Sequence, residues 1–156
     1  MLVYEWVHGM EYTNRILHFL YEIDAIMVPK LSERVEMASY AGKLAQKAET
    51  LFISENGNDI ASCSVYCNTE TGFITSIAVN DKYARRHIGT DMLSSVKQHA
   101  RKLGCKKILL EVHCQNIGAL SFYKKNEFAV TKYDGDWAEM EYLIKRTEDE
   151  EKKIYG

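Results

Sequence analysis

The chain has 156 residues, 46% of them hydrophobic, with 20 basic and 22 acidic side chains and a formal charge of -2. This fits one domain with an ordinary core over residues 1–145, followed by a charged tail over 146–156. There is no basic surplus for nucleic acid, no polybasic block for a membrane surface, no basic-then-apolar leader and no apolar run near the ~20 residues that span a bilayer, so a soluble, cytoplasmic protein is expected.

Residues 1–7 alternate well enough for a first strand, and 11–26 carry apolar residues at helical spacing, ending before Pro29, the only proline. Ser32 reads as the N-cap of a second helix, with Glu33 and Glu36 in its first turns, running on through Tyr40, Leu44 and Ala48. Two apolar runs, 50–54 and 60–67, flank Asn56-Gly57, a strong hairpin signal. A third strand of this antiparallel set covers 73–79. A helix over about 86–103 places Ile88, Met92, Leu93, Val96 and Ala100 on one side, and Gly104 suits the position just past its end. Residues 108–113 form a strand of buried type, so strand, helix and strand make a crossover with two parallel neighbours. A short helix over 116–125 and a hairpin of 128–133 with 138–144 close the domain. The four cysteines, Cys63, Cys67, Cys105 and Cys114, have no metal-type spacing and read as reduced thiols, and no other His, Cys, Asp or Glu spacing resembles a metal site.

The most informative stretch is Ile77 to Thr90, where an apolar strand meets a polar turn, two arginines and a helix start. A helix start offers unpartnered N–H groups and the positive end of the peptide dipoles, which suits phosphate. Arg85 and Arg86 add two charges there, unless they are only a solvated helix start.

Ile77-Ala78-Val79, Tyr83, Arg85-Arg86-His87-Ile88-Gly89-Thr90 and Met92-Leu93 resemble the acyl-CoA signature of the GNAT superfamily of N-acetyltransferases. Leu110-Glu111-Val112, Asn116, Ala119, Phe122-Tyr123 and Phe128 resemble its second signature, in the right order and spacing. The family's pyrophosphate loop reads Gln or Arg, two residues, Gly, one residue, then Gly or Ala; here Ala84 takes the first place and His87 the first glycine place, and only Gly89 fits. His87 in ordinary helical conformation would still donate its N–H.

The resemblance implies an α/β (α+β) fold: a mixed, mostly antiparallel central sheet with a splayed parallel strand pair, flanked by helices. It implies acetyl-CoA as co-substrate, its pantetheine arm along Ile77, Ala78 and Val79, its pyrophosphate cradled by the N–H groups of Arg85, Arg86, His87, Ile88, Gly89 and Thr90, and Asn116 reaching the arm. No metal is called for.

Acetyl transfer to an amine must remove a proton from a group with a pKa near ~10 and stabilise a thiolate of pKa ~8.5. Tyr123 occupies the family's acid position, the alternative being a plain core aromatic. Glu111 is the candidate base, acting through water; it interrupts an apolar strand, where a carboxylate is costly without work or a partner, and the alternative is a structural carboxylate. His113, on the same strand face, is a second candidate base, and Thr75 or Ser76 can orient water. The oxyanion would meet the N–H of Val79. Asp134, Asp136 and Trp137, with Tyr21, Glu22 and Asp24, are candidates to line the acceptor cleft.

The expected function is therefore acetyl transfer from acetyl-CoA to a primary amine of a small molecule, such as an amino sugar or polyamine-like compound. A protein or peptide amine, or a CoA-binding module without catalysis, are the alternatives. No nucleic-acid or membrane partner is expected, and a homodimer is left open.

Overall fold

The computed structural model describes residues 1–84 and 87–146. Seven strands form one sheet: β1 (Leu2–Val7), β2 (Glu49–Glu55), β3 (Asn58–Tyr66), β4 (Thr71–Val79), β5 (Lys107–His113), β6 (Ala129–Asp134) and β7 (Trp137–Leu143). Their order across the sheet is β1-β2-β3-β4-β5-β7-β6. Four helices flank them: α1 (Thr13–Ile23), α2 (Met37–Lys47), α3 (Ile88–Lys102) and α4 (Ile117–Lys125).

The sheet is antiparallel except between β4 and β5, whose crossover runs through α3. This is the mixed sheet with one parallel pair that the sequence predicts. The β2–β3 hairpin turns at Asn56 (φ 51°) and Gly57 (φ 79°), the two consecutive left-handed residues that a tight two-residue turn requires.

Two apolar cores lie on opposite faces of the sheet. On one, α1 and α2 pack Phe19, Leu20, Ile23 and Leu44 over Phe52. On the other, α3 brings Met92, Leu93 and Val96 against Leu51, Ile60, Val65, Ile108 and Met140. β3 accommodates both through small residues: Ala61 and Cys63 face the α3 core, while Ser62 and Ser64 are also buried, Ser64 Oγ sharing a hydrogen bond of 2.8 Å with Thr50 Oγ1.

Several local expectations need correction. The first helix is shorter than 11–26: a 3-10 turn at Met10–Tyr12 leads into α1 and another at Asp24–Ile26 follows it. Ser32 does not cap α2. Its N–H and hydroxyl donate to the Asp24 carboxylate at 2.8 and 2.6 Å, and Glu36 is the cap, accepting from the Ser39 N–H at 2.5 Å. Glu is not among the usual capping residues, but its carboxylate takes the role here because Asp24, eight residues earlier, draws Ser32 away. β5 is not buried on both faces: Ile108, Leu110 and Val112 are buried, whereas Glu111 is exposed. His99 on α3 stacks on Trp6 with centroids 3.8 Å apart and bonds Glu49 at 2.8 Å.

Candidate active site

The site starts from a failure of pairing. β4 and β5 are in register only from Thr71–Lys107 to Ile74–Leu110. Beyond that point β4 continues to Val79 and β5 to His113 without facing each other. The break coincides with a bulge. Ser64 faces Ser76 and Val65 faces Ile74, so Thr75 is an extra residue on β4. A bulge bends its strand and raises the local twist, which turns β4 away from β5. Tyr40 on α2 pins it: its hydroxyl donates to the Thr75 carbonyl at 3.0 Å and lies 2.9 Å from Thr75 Oγ1.

The outer half of β4 therefore pairs with β3 on one side, through Cys63–Ile77, Ser62–Ala78 and Ala61–Val79, and is open on the other. The Asn80 N–H donates to the Ile60 carbonyl on the β3 side at 2.7 Å. N–H groups alternate sides along an extended strand, so those of Val79 and Ile77 point into the gap and that of Ala78 points toward β3. Backbone groups held open in this way call for a partner that mimics a strand.

Past the open edge, a 3-10 turn at Asp81–Tyr83 delivers the chain to α3. Arg85 and Arg86, two predicted members of the cradle, lie outside the described residues. His87 is the N-cap of α3 and is left-handed (φ 59°, ψ 17°), not helical as expected from sequence. Its side chain makes no capping bond, and the first intrahelical bond of the cap runs from Asp91 N–H to the His87 carbonyl. The N–H groups of Ile88, Gly89 and Thr90 thus open the helix without a side-chain cap. A left-handed residue where the related loop carries glycine explains why glycine suits that place, and His87 adopts the same backbone at some cost in strain. Gly89 serves packing: a Cβ there would stand 3.2 Å from Phe122 Cζ, so its absence lets α4 approach the mouth of α3.

A cleft of about 230 Å³ occupies the gap. Ile74 to Ile77 and Leu110 to His113 supply its walls, and Asn116, Ala119 and Tyr123 its α4 side. Among the predicted site residues, Ile77, Glu111, Asn116 and Tyr123 meet here, with His113, Thr75 and Ser76. Of the predicted acceptor residues only Trp137 does so. Glu22 is held by His18 at 2.6 Å, and Asp24 by Ser32.

Each candidate side chain has a defined setting. Tyr123 is 7% exposed, and among the described residues its hydroxyl has no hydrogen-bond partner. Burial pushes its pKa above the ordinary value, with a smaller contribution from Cys63. Phe122 and Phe128 fix the ring, at centroid distances of 5.3 and 5.8 Å. Asn116 caps α4: its Oδ1 accepts the Ala119 N–H at 3.2 Å, leaving the amide NH₂ for a ligand. His113 Nδ1 accepts the Gln115 N–H at 3.2 Å, which puts the ring proton of the neutral form on Nε2. Glu111 lies two residues away on the same face, exposed and with no hydrogen bond or ion pair among the described residues. The burial cost argued for it from sequence does not arise; its position in the cleft is what recommends it.

The far side of the cleft, away from α4, contains residues that sequence reasoning missed. Met27, Val28, Leu31 and Val35, from the segment between α1 and α2, form an apolar wall. Arg34 in the same segment lies over the Trp137 ring, 4.4 Å from its centroid, bridging to β7. Leu31 and Val35 have a sequence signal in their apolar spacing; Arg34 has none, because its partner is a hundred residues away.

Comparison with known proteins follows the same lines. Residues 17–128 match the Acetyltransferase (GNAT) family. N-alpha-acetyltransferase 60 of Danio rerio is 31% identical over 90 residues, 56% of this chain and 37% of that protein; its Xenopus tropicalis counterpart is 31% identical over 85 residues, 53% and 35%. The matches thus span little more than a third of these relatives' length. PaiA N-acetyltransferase of Thermoplasma acidophilum, solved in complex with coenzyme A, superposes with a TM-score of 0.70 at 17% identity, covering 92% of this chain and 99% of that one. The ribosomal-protein-S18-alanine N-acetyltransferase of Escherichia coli gives 0.72 at 16% identity, covering 94% and 96%. With the fold shared across whole chains and the family match covering most of the sequence, this chain belongs to the Acetyltransferase (GNAT) family.

Proposed function

We propose that this chain transfers the acetyl group of acetyl-CoA to a primary amine of a small molecule, by direct attack while both substrates are bound. The observation that carries this reading is the gap between β4 and β5, which joins an open strand edge to a cleft holding Glu111, His113, Asn116 and Tyr123.

The residues present fit acetyl-CoA. The open groups of Ile77 and Val79 can pair with the amides of a pantetheine arm, the Asn116 NH₂ can add a donor, and the N–H groups at the start of α3 suit a pyrophosphate. Arg85 and Arg86 complete this proposal with positive charge. Glu111 accepts the amine proton, directly or through water, with His113 as the competing base on the same face. The Val79 N–H, turned into the gap, meets the oxygen that becomes negative as the amine attacks. Tyr123 stays protonated because burial makes it a weaker acid than usual. It therefore stabilises the departing thiolate by donating a hydrogen bond; full transfer of its proton to a thiolate of ordinary pKa ~8.5 is uphill.

The Arg34–Trp137 bridge favours a small acceptor, because it ties two segments together across the acceptor side of the cleft. A second reading, a peptide or protein amine, is favoured by the similarity to proteins named N-alpha-acetyltransferase 60. Incubating the protein with acetyl-CoA and a panel of small amines and short peptides, and following release of free thiol, tests both. Thiol release that requires a small amine supports the first reading, and release only with peptides supports the second. Tight acetyl-CoA binding with no release from any amine would leave a CoA-binding module.

A further inference from the structure

We infer that Arg34 selects an acceptor that carries a carboxylate as well as its amine. This rests on the acetyl-transfer reading above and narrows its substrate class. The guanidinium of Arg34 lies over Trp137, and both residues line the cleft. A guanidinium centred over an aromatic ring still carries five N–H donors, more than one ring contact can occupy. The Arg34 backbone N–H donates to the Leu31 carbonyl, but its guanidinium has no hydrogen bond or ion pair among the described residues, so the side-chain donors are uncommitted. The stack also removes much of the freedom the side chain would otherwise lose on binding, which prepares it for a two-pronged grip on a carboxylate.

The rest of the cleft agrees. Glu111 and His113 on β5 attend to the amine, and Met27, Val28, Leu31 and Val35 offer an apolar wall for the body between the two charged ends. A polyamine would set a second cation toward Arg34, and a plain alkyl amine would leave the guanidinium edge partly desolvated without a partner. An amino acid-like molecule with an apolar body satisfies every group: amine toward Glu111, carboxylate toward Arg34, apolar part on the wall.

The test uses matched acceptors that differ only in the carboxylate: leucine against 3-methylbutylamine, phenylalanine against 2-phenylethylamine, and 6-aminohexanoate against pentylamine. Thiol release is measured at saturating acetyl-CoA, with kcat/KM expressed per free amine. The carboxylated member of at least one pair is expected to be favoured by about 10-fold or more, mainly through KM, the order expected of a charge-assisted hydrogen-bonded pair. In Arg34→Gln that ratio falls toward one, and Arg34→Lys recovers part of it. The acetyl-CoA affinity of both variants, equal to that of the unaltered protein, shows that they fold. A preference for the uncharged member in every pair, or a ratio that survives Arg34→Gln, overturns this inference alone. Acetyl-CoA binding with no thiol release from any acceptor overturns the acetyl-transfer reading and this inference with it.

Discussion

In the proposed mechanism Tyr123 and Glu111 divide the proton chemistry by their surroundings. Tyr123 sits among Phe122, Phe128 and the α3 core, where burial keeps the phenol neutral. Replacing it with Phe keeps the packing and removes only the donor, so kcat should fall by roughly 10²-fold with little change in acetyl-CoA affinity; an unchanged kcat would end its role. Glu111 stands in the open cleft. If it takes the amine proton, Glu111→Gln should remove the acidic limb of the kcat/KM profile, and His113→Asn should leave that limb in place. The reverse pattern would transfer the role to His113. The place of Tyr123 in a family motif made it legible in the sequence. The setting of Glu111 was not, since an apolar run around a carboxylate looks the same whether the strand is covered on one face or two. His87 was read as helical because a sequence does not state φ, whereas the structure holds it left-handed.

Two contacts between elements shape the site. Tyr40 of α2 fastens the bulge at Thr75, from which β4 diverges, and Gly89 of α3 gives room to Phe122 of α4. The second is open to a clean test. Gly89→Ala adds a methyl into a 3.2 Å contact, so the start of α3 or the Phe122 ring must shift. Such overpacking costs about 1 kcal/mol or more, and if the shift falls on the cradle, acetyl-CoA binding weakens roughly fivefold. A second change, Phe122→Leu, should restore much of that loss, and failure to do so would separate Gly89 from the α4 contact. The elements themselves were largely readable: Asn56-Gly57 announced its hairpin, and the apolar stripe of α3 and Gly104 after it marked that helix. What could not be read were features set by which side chain wins a local bond and by partners far along the chain. These are Ser32 captured by Asp24, the cap passing to Glu36, the bulge at Thr75 and the Arg34–Trp137 bridge.

Across the whole molecule, the two cores leave one region of sheet without a helix above it among the described residues: the face of β5 and β7 that carries Glu111, His113 and Trp137. On the proposed reading the acceptor would reach the gap from there and the coenzyme from the α3–α4 side, so that the two substrates would meet from opposite faces of the splayed sheet. The cores also set a pH limit. Burial raises the pKa of Cys63 and Tyr123, and pushes that of Cys67 up to about 12. Groups raised in the folded state contribute stability that is complete below their unfolded pKa, about 8.5 for a thiol and 10 for a phenol, and is lost as pH rises toward the folded values. Tm should therefore hold through neutral pH and decline above about 9, less steeply in a Cys63→Ala, Cys67→Ala variant; parallel declines would assign the loss to other groups. The claim on which everything else rests is that the gap between β4 and β5 receives acetyl-CoA, and calorimetric titration measures this most directly. The account predicts saturable, one-to-one binding of acetyl-CoA; a titration with neither heat nor saturation for any CoA species would contradict it.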